Sequence, residues 1–397
     1  MKNILQLVGN LSLLLFGVVG ALALLEVGAR LLGPPFPIAA EAMHQCHADT
    51  GWLGEPNFTA TIDWYGYEHQ ISLNDQGMHD TNHPLKKDDD IFRIMLIGDS
   101  FVEAAQVNEA ETSHAVLESR LNAMSEQRFE VINAGALAWG PQQALAYFRT
   151  QGHHYQPDLI IVMWVPANDL LNVLPDHVFT AQGVNCYAPY FAICNDQFDA
   201  KVWRSVPGLP PIAEQCGWGQ KLLRAGLSKL YRNSYLFQRI GPIFATHHLV
   251  YQQHFAPWLA AEQDDPMLQY AYNVTFNIYR QLVDEAAHQQ TQTVFAIVPF
   301  NQAVYTDSSA EYATQVKQQQ PDLAEADSTL PNRYFMAHMD SQNLPVYDLH
   351  ADFVTHLQQT SQDLHWTEDF HWNVAGNRLV GERLADWLVA QELVPSP

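Results

Sequence analysis

Three almost uninterrupted apolar runs alternate with helical patterns over residues 91–165, and this alternation constrains the fold more than any other feature. The runs IFRIMLI, FEVINA and DLIIVMWV have the apolar and β-branched content of strands. Between them, residues 113–125 and 141–152 place apolar side chains at helical spacing. Strands that lack polar alternation are buried on both faces, so the pattern predicts an α/β fold whose parallel sheet is covered by helices on both sides.

The same regularity returns in the C-terminal third of the chain. It predicts a helix over residues 267–288, strands over 293–299 and 345–349, and a last helix over 374–391 with Asn373 as its N-cap. A looser polar stretch separates the two strands. Residues 171–265 break the alternation and carry three of the four cysteines, many aromatics and the run VPGLPPIAEQCGWG. We interpret this stretch as a large insertion, partly helical around residues 220–240.

The N-terminus predicts a membrane helix. Residues 4–25 contain no charged side chain, and this segment is long enough to cross a bilayer as a helix. A cleaved signal peptide is the alternative, with Ala21-Leu22-Ala23 as its cleavage site, but the apolar character continues past this point to Leu31-Leu32. The length favours an uncleaved anchor. Only Lys2 precedes the span, and this slight bias predicts a cytoplasmic N-terminus with the remaining chain on the outer side of the inner membrane, facing the periplasm.

These patterns divide the chain into three parts. Residues 1–33 are the predicted transmembrane anchor. Residues 34–90 are a linker that starts with the stiff stretch GPPFPIA and continues as a small preface of strands and loops. Residues 91–397 form the α/β domain, with the insertion at about 171–265.

Charge and cysteine content limit the partners and the compartment. The chain has 20 Lys and Arg against 43 Asp and Glu, a net charge of −23, which repels phosphate backbones and argues against nucleic acid as a partner. In an exported domain four cysteines predict disulfides with three possible pairings, and close spacing favours Cys186–Cys194. The stretch HQCHAD, residues 44–49, lacks a second ligand pair at zinc-like spacing, so no metal is predicted.

Four polar segments follow predicted strands or precede the last helix. They are Gly98-Asp99-Ser100, the loop NAGALAWG (133–140), the turn PAND (166–169) and the loop EDFHWN (368–373). Each of them alone is common in ordinary turns. In an open parallel sheet, however, the carboxyl ends of the strands meet at one edge, where active groups gather. Their coincidence at this edge predicts a shared site.

The residues of this predicted site suit acyl transfer through a serine. Ser100 would be the nucleophile, His371 the base that accepts its proton, and Asp369 the carboxylate that orients the imidazole. The Asn168 amide and backbone N–H groups of Ser100 and of the 133–140 loop would stabilise the oxyanion.

These segments also resemble the signatures of the SGNH, or GDSL-type, hydrolases. IMLIGDSF, VINAG, AND and DFHWNVAGNRL occur in the order of that family, and ISLNDQGMHD (71–80) resembles the lead-in of its membrane-anchored bacterial members. The resemblance covers residues 91–170 and about 270–390. It implies a flavodoxin-like three-layer αβα sheet, catalysis by Ser100, His371 and Asp369, and an oxyanion hole formed by Ser100, Asn168 and the N–H of Ala138. It implies no cofactor and no metal.

Four positions depart from the family pattern. Ala138 stands where the family usually has a glycine, and alanine keeps the N–H without the backbone freedom of glycine. Pro166 also replaces a usual glycine, and His79 replaces an arginine of the lead-in. Many members space acid and base as D-x-x-H, which leaves Glu368 as an alternative to Asp369 for the orienting acid.

The sequence therefore predicts a membrane-anchored extracytoplasmic serine esterase or acyl-transfer enzyme. The resemblance implies a small acyl ester or an acylated glycan as substrate. The alternative is a non-catalytic scaffold or assembly subunit with a membrane protein partner, motivated by Ala138, Pro166 and the insertion. Aromatic residues of the insertion would either wall the cleft and stack on sugar rings or pack inside the fold; they are Tyr187, Tyr190, Phe191, Trp203 and Trp218.

Overall fold

The computed structural model describes most of the chain outside the linker and much of the insertion. The described residues are 2–31, 43–174, 177–181, 184–194, 197–204, 234, 265–299, 301–309, 314, 327, 329–366, 369 and 371–395.

Thirteen strands lie in the described ranges. They are β1 (His44–His47), β2 (Gly51–Gly54), β3 (Thr59–Trp64), β4 (Tyr67–Ser72), β5 (Ile91–Gly98), β6 (Arg128–Gly135), β7 (Leu159–Trp164), β8 (Val178–Ala181), β9 (Val184–Tyr187), β10 (Pro189–Cys194), β11 (Gln197–Arg204), β12 (Gln292–Ile297) and β13 (Val346–Asp348).

Ten α-helices lie in the same ranges. They are α1 (Lys2–Leu31), α2 (Ser100–Glu103), α3 (Ser113–Met124), α4 (Pro141–Thr150), α5 (Pro166–Asn172), α6 (Pro266–His288), α7 (Asn301–Ser308), α8 (Leu330–Ser341), α9 (His350–Thr360) and α10 (Val374–Ala390).

The central sheet has five parallel strands in the order β13-β12-β7-β5-β6. Counted along the chain, this order is 2-1-3-4-5, the flavodoxin-like arrangement. The predicted α/β fold with a parallel sheet is confirmed. In this topology the chain reverses direction across the sheet between β5 and β7, and the carboxyl ends of these two strands flank the crevice where ligands bind in such folds.

Two cores sandwich the sheet because its strands present apolar side chains to both faces. Met95 and Ile97 of β5 point into a core shared with α4, α6 and α8. Ile94 and Leu96, one residue out of phase, point into a second core shared with α3, α9 and α10. Successive side chains of a strand alternate between faces, so a wholly apolar strand such as β7 needs a helical layer on each side. The fold is accordingly three-layered.

The last predicted helix is confirmed together with its cap. The Asn373 side chain accepts a hydrogen bond from the Gly376 N–H at the start of α10. Helices α7 and α8 lie in the polar stretch between the last two strands, and α9 follows β13; none of the three was predicted. Helix α9 buries only Phe353 and Leu357, four residues apart, which is too short a pattern to indicate a helix by itself.

Two hairpins form the preface before the sheet, and two more lie in the insertion. Strands β1–β2 and β3–β4 pair antiparallel, as do β8–β9 and β10–β11. The helix predicted around residues 220–240 lies outside the described residues except for Ser234.

The predicted Cys186–Cys194 disulfide is wrong: Cys186 is bonded to Cys46, 140 residues earlier. Cys186 lies on β9 and Cys194 ends β10, so the residues between them belong largely to extended strands of two different hairpins. Extended chain rises about 3.3 Å per residue and carries the two cysteines apart. The disulfide instead joins β1 of the preface to the insertion. The Cys194 side chain and Cys216 lie outside the described residues.

Helix α1 is the N-terminal apolar helix. Its segment Ser12–Leu31 has a mean hydropathy of 2.1 and is 6% buried, and by length and composition it is able to cross a membrane. This segment lies a few residues later than the charge-free span of residues 4–25, and it therefore includes Glu26 and Arg30. These two residues form an ion pair one helical turn apart.

The described aromatics of the insertion pack inside the protein and do not line an open cleft. Tyr190 and Phe191 are each 1% exposed, and Tyr187 is also buried. The Tyr190 hydroxyl is 2.7 Å from the Tyr270 hydroxyl on α6, and Phe191 stacks on Phe198. Trp203 is described only in its backbone, and Trp218 lies outside the described residues.

Candidate active site

The end of β5 delivers Ser100 to the first turn of α2. Gly98 leaves room for this tight turn, since a Cβ there would lie 2.7 Å from Val102 Cγ2 and 3.1 Å from Met163 Cβ. Asp99 is the N-cap of α2, and its carboxylate accepts a hydrogen bond from the Phe101 N–H at 3.0 Å. Ser100 is therefore the first helical residue, and its own N–H has no partner within the helix.

His371 lies within hydrogen-bond distance of Ser100. Its Nε2 is 2.7 Å from Ser100 Oγ, across 271 residues of sequence. Its Nδ1 is 2.8 Å from both carboxylate oxygens of Asp369. Ser100 and His371 are 3% and 8% exposed. The three side chains form a continuous hydrogen-bonded chain in the order hydroxyl, imidazole, carboxylate. Glu368, the alternative acid, lies outside the described residues.

A short backbone pairing holds the His371 loop in place. The Trp366 N–H donates to the His371 carbonyl at 3.0 Å, and His365 pairs with Trp372 through an isolated antiparallel β-bridge. On the other side, Phe101 of α2 packs its ring 5.1 Å from the His371 ring and 4.9 Å from the Trp372 ring. The helix that carries the serine is thus in direct contact with the loop that carries the imidazole.

Asn168 reaches the same edge of the sheet from α5. Its Nδ2 donates to Asp99 Oδ2 at 2.7 Å. Pro166 is in the first turn of α5. The backbone N–H groups of a helix's first turn have no partner within the helix, so a proline, which lacks this N–H, fits here in place of the glycine that the family usually has. The next residue, Asp169, is buried and accepts from the Val165 N–H. Burial raises the pKa of both the Asp99 and the Asp169 carboxyl groups.

Ala138 has a left-handed backbone with φ of +56°. Its carbonyl accepts hydrogen bonds from His177 Nε2 at 2.8 Å and from Asn172 Nδ2 at 3.3 Å. These two donors hold the peptide in one orientation. A left-handed alanine costs about 1–2 kcal/mol relative to a right-handed one. The position therefore requires the conformation that a glycine adopts without strain.

Asn133 braces the site through backbone contacts. It is fully buried, and its Nδ2 donates to the carbonyls of Val102 at 2.9 Å and His79 at 3.1 Å, while its Oδ1 accepts from the Gly135 N–H. These bonds tie the end of β6 to α2 and to the preface.

Behind α2 lies a buried polar network that the sequence analysis did not identify. Glu103, the last residue of α2, is 2.7 Å from His44 Nε2, and its carbonyl accepts from His79 Nδ1 at 2.9 Å. Burial lowers the pKa of His79 to about 4, so this imidazole is neutral near pH 7. The one available signal was His79 itself, which replaces the arginine of the family lead-in.

One group of side chains with metal-ligand chemistry lies close together within the described ranges. Asp80, Glu109 and His114 have ligand atoms within 4.8 Å of one another. Asp80 already accepts the Asn133 N–H at 2.8 Å, and its other oxygen is 3.3 Å from His114 Nε2. The nearby imidazoles of His114 and His83 lower the pKa of the Asp80 carboxyl, although its burial opposes this. Asp80 and His114 are thus in contact with each other, and Asp80 also binds the backbone of β6.

The arrangement is able to transfer a proton from the Ser100 hydroxyl to the His371 imidazole. Ser100 Oγ is placed to lose its proton to His371, and the Asp369 carboxylate stabilises the imidazolium that results. Among the described residues, the Ala138 N–H has no hydrogen-bond partner. Such a set of groups suits the formation and breakdown of a tetrahedral intermediate at a carbonyl carbon.

A scan against models of known protein families gives no match, and a search of curated proteins gives none either. Among solved structures, the chain is similar to an acetyl xylan esterase with 12% identity and a TM-score of 0.38, covering 75% of this chain and 100% of the other. It is similar to the lipase/acylhydrolase from Enterococcus faecalis with 12% identity, a TM-score of 0.36 and coverage of 75% and 96%.

A third similar structure is the psychrotrophic esterase EstA from Pseudoalteromonas sp., with 11% identity, a TM-score of 0.36 and coverage of 76% and 100%. At such identities and TM-scores the likeness carries no inference of activity. The chemistry of this chain rests on the arrangement of its own residues.

Proposed function

We propose that this protein is a serine esterase or acyl-transfer enzyme that works through an acyl-serine intermediate on Ser100. The observation that carries the proposal is the hydrogen-bonded chain from Ser100 Oγ through His371 to Asp369, with distances of 2.7 and 2.8 Å. In this mechanism Ser100 Oγ forms a bond to the ester carbonyl carbon while its proton passes to His371 Nε2. His371 then donates that proton to the departing alcohol as the ester bond breaks.

The second half of the reaction reverses these roles. Water, or the hydroxyl of an acceptor, loses its proton to His371 and attacks the acyl carbon, and Ser100 Oγ recovers the proton when it leaves. We propose that the oxyanion of both intermediates accepts hydrogen bonds from the Ser100 N–H, the Ala138 N–H and the Asn168 amide. A single amide donor of this kind contributes roughly 10²- to 10³-fold to kcat.

We further propose that the enzyme is anchored in the cytoplasmic membrane by α1 and acts outside the cytoplasm on O-acyl groups of carbohydrate. Support for the location comes from the apolar helix and from the Cys46–Cys186 disulfide, because such bonds persist in oxidising compartments. Support for the substrate class comes from the resemblance of its motifs to SGNH hydrolases.

A fluorophosphonate probe tests the nucleophile. The wild-type protein is expected to be labelled, and Ser100→Ala and His371→Gln to lose the label. The control is Ser119→Ala, because Ser119 is an exposed serine on α3 away from the site and its loss should leave labelling unchanged. Labelling that persists in Ser100→Ala would show that another residue is the nucleophile.

The competing proposal is a non-catalytic scaffold in a membrane complex, and it is motivated by the strained Ala138 at an oxyanion position. This proposal predicts that the folded wild-type protein is not labelled. Incubation of the wild type with acetylated glycans then separates hydrolysis from transfer, since release of acetate and appearance of acetylated acceptor are measured in the same reaction.

A further inference from the structure

The β3–β4 hairpin of the preface connects the two halves of the candidate active site. Its strand β4 binds the segment that follows α2. His69 Nε2 donates to the Ala105 carbonyl at 2.9 Å, and the Gln70 N–H donates to Asn108 Oδ1 at 3.1 Å. The hydroxyl of Tyr67, at the start of β4, donates to Glu111 at 2.5 Å. The hairpin is thereby fixed to the part of the chain that carries Ser100.

The tip of the same hairpin contacts the loop that carries His371. The Tyr67 ring lies 5.5 Å from the Trp366 ring, and the Trp366 N–H is bonded to the His371 carbonyl. Trp64 is the cross-strand partner of Tyr67 and shares its face of the hairpin, and Tyr65 at the turn is 58% exposed. Trp64, Tyr65, Tyr67 and Trp366, here called the aromatic rim, therefore form one edge at the loop that carries His371.

The accessible part of the aromatic rim is ring surface. The Tyr65 ring is exposed, while Trp64, Tyr67 and Trp366 are half-buried. The indole N–H groups of Trp64 and Trp366 are buried, so the rim offers a ligand its ring faces and not these donors. Aromatic ring faces suit a ligand that is apolar on one surface and carries hydroxyls at its edge. A pyranose ring has this character.

The charge near the aromatic rim selects against an anionic ligand. Residues 43–85, which include the hairpin, contain six Asp or Glu and no Lys or Arg. Carboxylates or phosphates on a ligand would meet the like charge of these residues, and residues 43–85 contribute no Lys or Arg to pair with them. A neutral sugar meets no such repulsion.

We propose that the aromatic rim is a binding subsite for a neutral pyranose ring of the substrate glycan, placed beside the acyl group that Ser100 attacks. This inference rests on the proposed function for its catalytic consequence, but the binding itself is independent of turnover. The subsite belongs to the preface of the chain, whereas the buried aromatics Tyr190 and Phe191 of the insertion belong to the core.

Binding is measured by isothermal titration calorimetry of the Ser100→Ala variant with xylotetraose, cellotetraose and mannotetraose, and with tetragalacturonate as the anionic probe. At least one neutral tetrasaccharide is expected to bind and the anionic one not to. In the same background, Tyr65→Ala and Trp366→Phe are expected to raise the Kd of this tetrasaccharide about fivefold or more, because each removes part of the ring surface.

The matched control is Tyr347→Ala. Tyr347 stacks on Trp387 with ring centroids 5.2 Å apart, and Trp387 lies 13 residues into α10, so this tyrosine–tryptophan pair includes no residue of the hairpin or of the His371 loop. Its loss should leave the Kd unchanged. Absence of binding by every neutral tetrasaccharide, or a Kd that neither rim variant changes, overturns the subsite.

Activity separates this inference from the proposed function. With the Ser100-containing enzyme, Tyr65→Ala is expected to lower kcat/KM for acetylated xylobiose about tenfold while leaving p-nitrophenyl acetate hydrolysis nearly unchanged. Equal losses on both substrates contradict a subsite role. If the wild type hydrolyses neither ester but Ser100→Ala still binds the tetrasaccharide through the rim, the proposed catalysis is wrong and the subsite stands.

Discussion

Asn168 donates a hydrogen bond from Nδ2 to the carboxylate of Asp99, the residue immediately before the candidate nucleophile, at 2.7 Å. This bond uses one of the two amide hydrogens of Asn168. Because the amide group is planar, fixing the direction of one N–H also fixes the direction of the other. Asp99 thus has two functions, as it caps α2 and orients a proposed oxyanion donor.

We predict that Asn168→Ala lowers kcat for a small ester such as p-nitrophenyl acetate about 10²- to 10³-fold. It also lowers the free energy of unfolding by about 1–3 kcal/mol, because the buried Asp99 carboxyl loses a hydrogen-bond donor. The loss of kcat arises because the donor acts on charge that develops only in the transition state. Steady-state kinetics and urea denaturation measure the two quantities. Asn273→Ala, at an exposed position of α6, is the control. An Asn168 variant with near-normal kcat would remove this residue from the oxyanion hole.

The orienting acid is tested by a pair of neighbouring substitutions. Asp369→Asn is expected to lower kcat about 10³- to 10⁴-fold, because an amide next to His371 Nδ1 favours the wrong tautomer and does not stabilise the imidazolium. Glu368→Gln should leave kcat nearly unchanged. The reverse result, with the larger loss in Glu368→Gln, would assign the role to Glu368 as the family spacing allows.

At Ala138 we expect an alanine-to-glycine substitution to change the free energy of unfolding in the opposite direction from the usual one. Glycine removes about 1–2 kcal/mol of left-handed strain but adds about 0.5–1 kcal/mol of unfolded-state entropy, so Ala138→Gly should be neutral or stabilising by up to about 1.5 kcal/mol. The control is Ala337→Gly at an exposed position inside α8, which should destabilise the protein by about 1 kcal/mol. Urea denaturation of both variants gives the comparison. A clear loss of stability in Ala138→Gly would contradict the strain.

His365 predicts a loss of stability in acid. It is buried against Tyr305 and Phe353, neither ring nitrogen has a partner among the described residues, and burial lowers its pKa to about 3. The unfolded state binds this proton more readily, so the free energy of unfolding falls as the pH drops from about 6.5 towards 3. Between pH 7 and 4.5 the loss from this group is about 3 kcal/mol.

The variant His365→Phe should remove this part of the pH dependence and raise stability at pH 5. Urea denaturation over the range from pH 4.5 to 7.5 measures the slope. His288→Phe, at an exposed position near the end of α6, should keep the wild-type slope. An unchanged slope in His365→Phe would mean that this imidazole is not neutral in the folded protein.

The sequence by itself determined the sheet and the candidates for the site. Strands β5, β6 and β7 carry their fold information locally, because a run that is apolar on both faces has to be covered on both sides wherever it lies. Ser100, Asn168 and His371 could be named for a similar reason: they stand next to strand or helix ends, and parallel strands direct those ends to one edge.

Only the tertiary structure decided the distances and partners. Ser100 and His371 are 271 residues apart, and no periodicity states that two such side chains come within 2.7 Å. The Cys46–Cys186 bond, the left-handed Ala138 and the contact between Tyr67 and Trp366 depend in the same way on how separate elements pack. Sequence patterns report the environment of a residue relative to its neighbours in the chain. The partner across the fold is set by packing, which is a property of the whole chain.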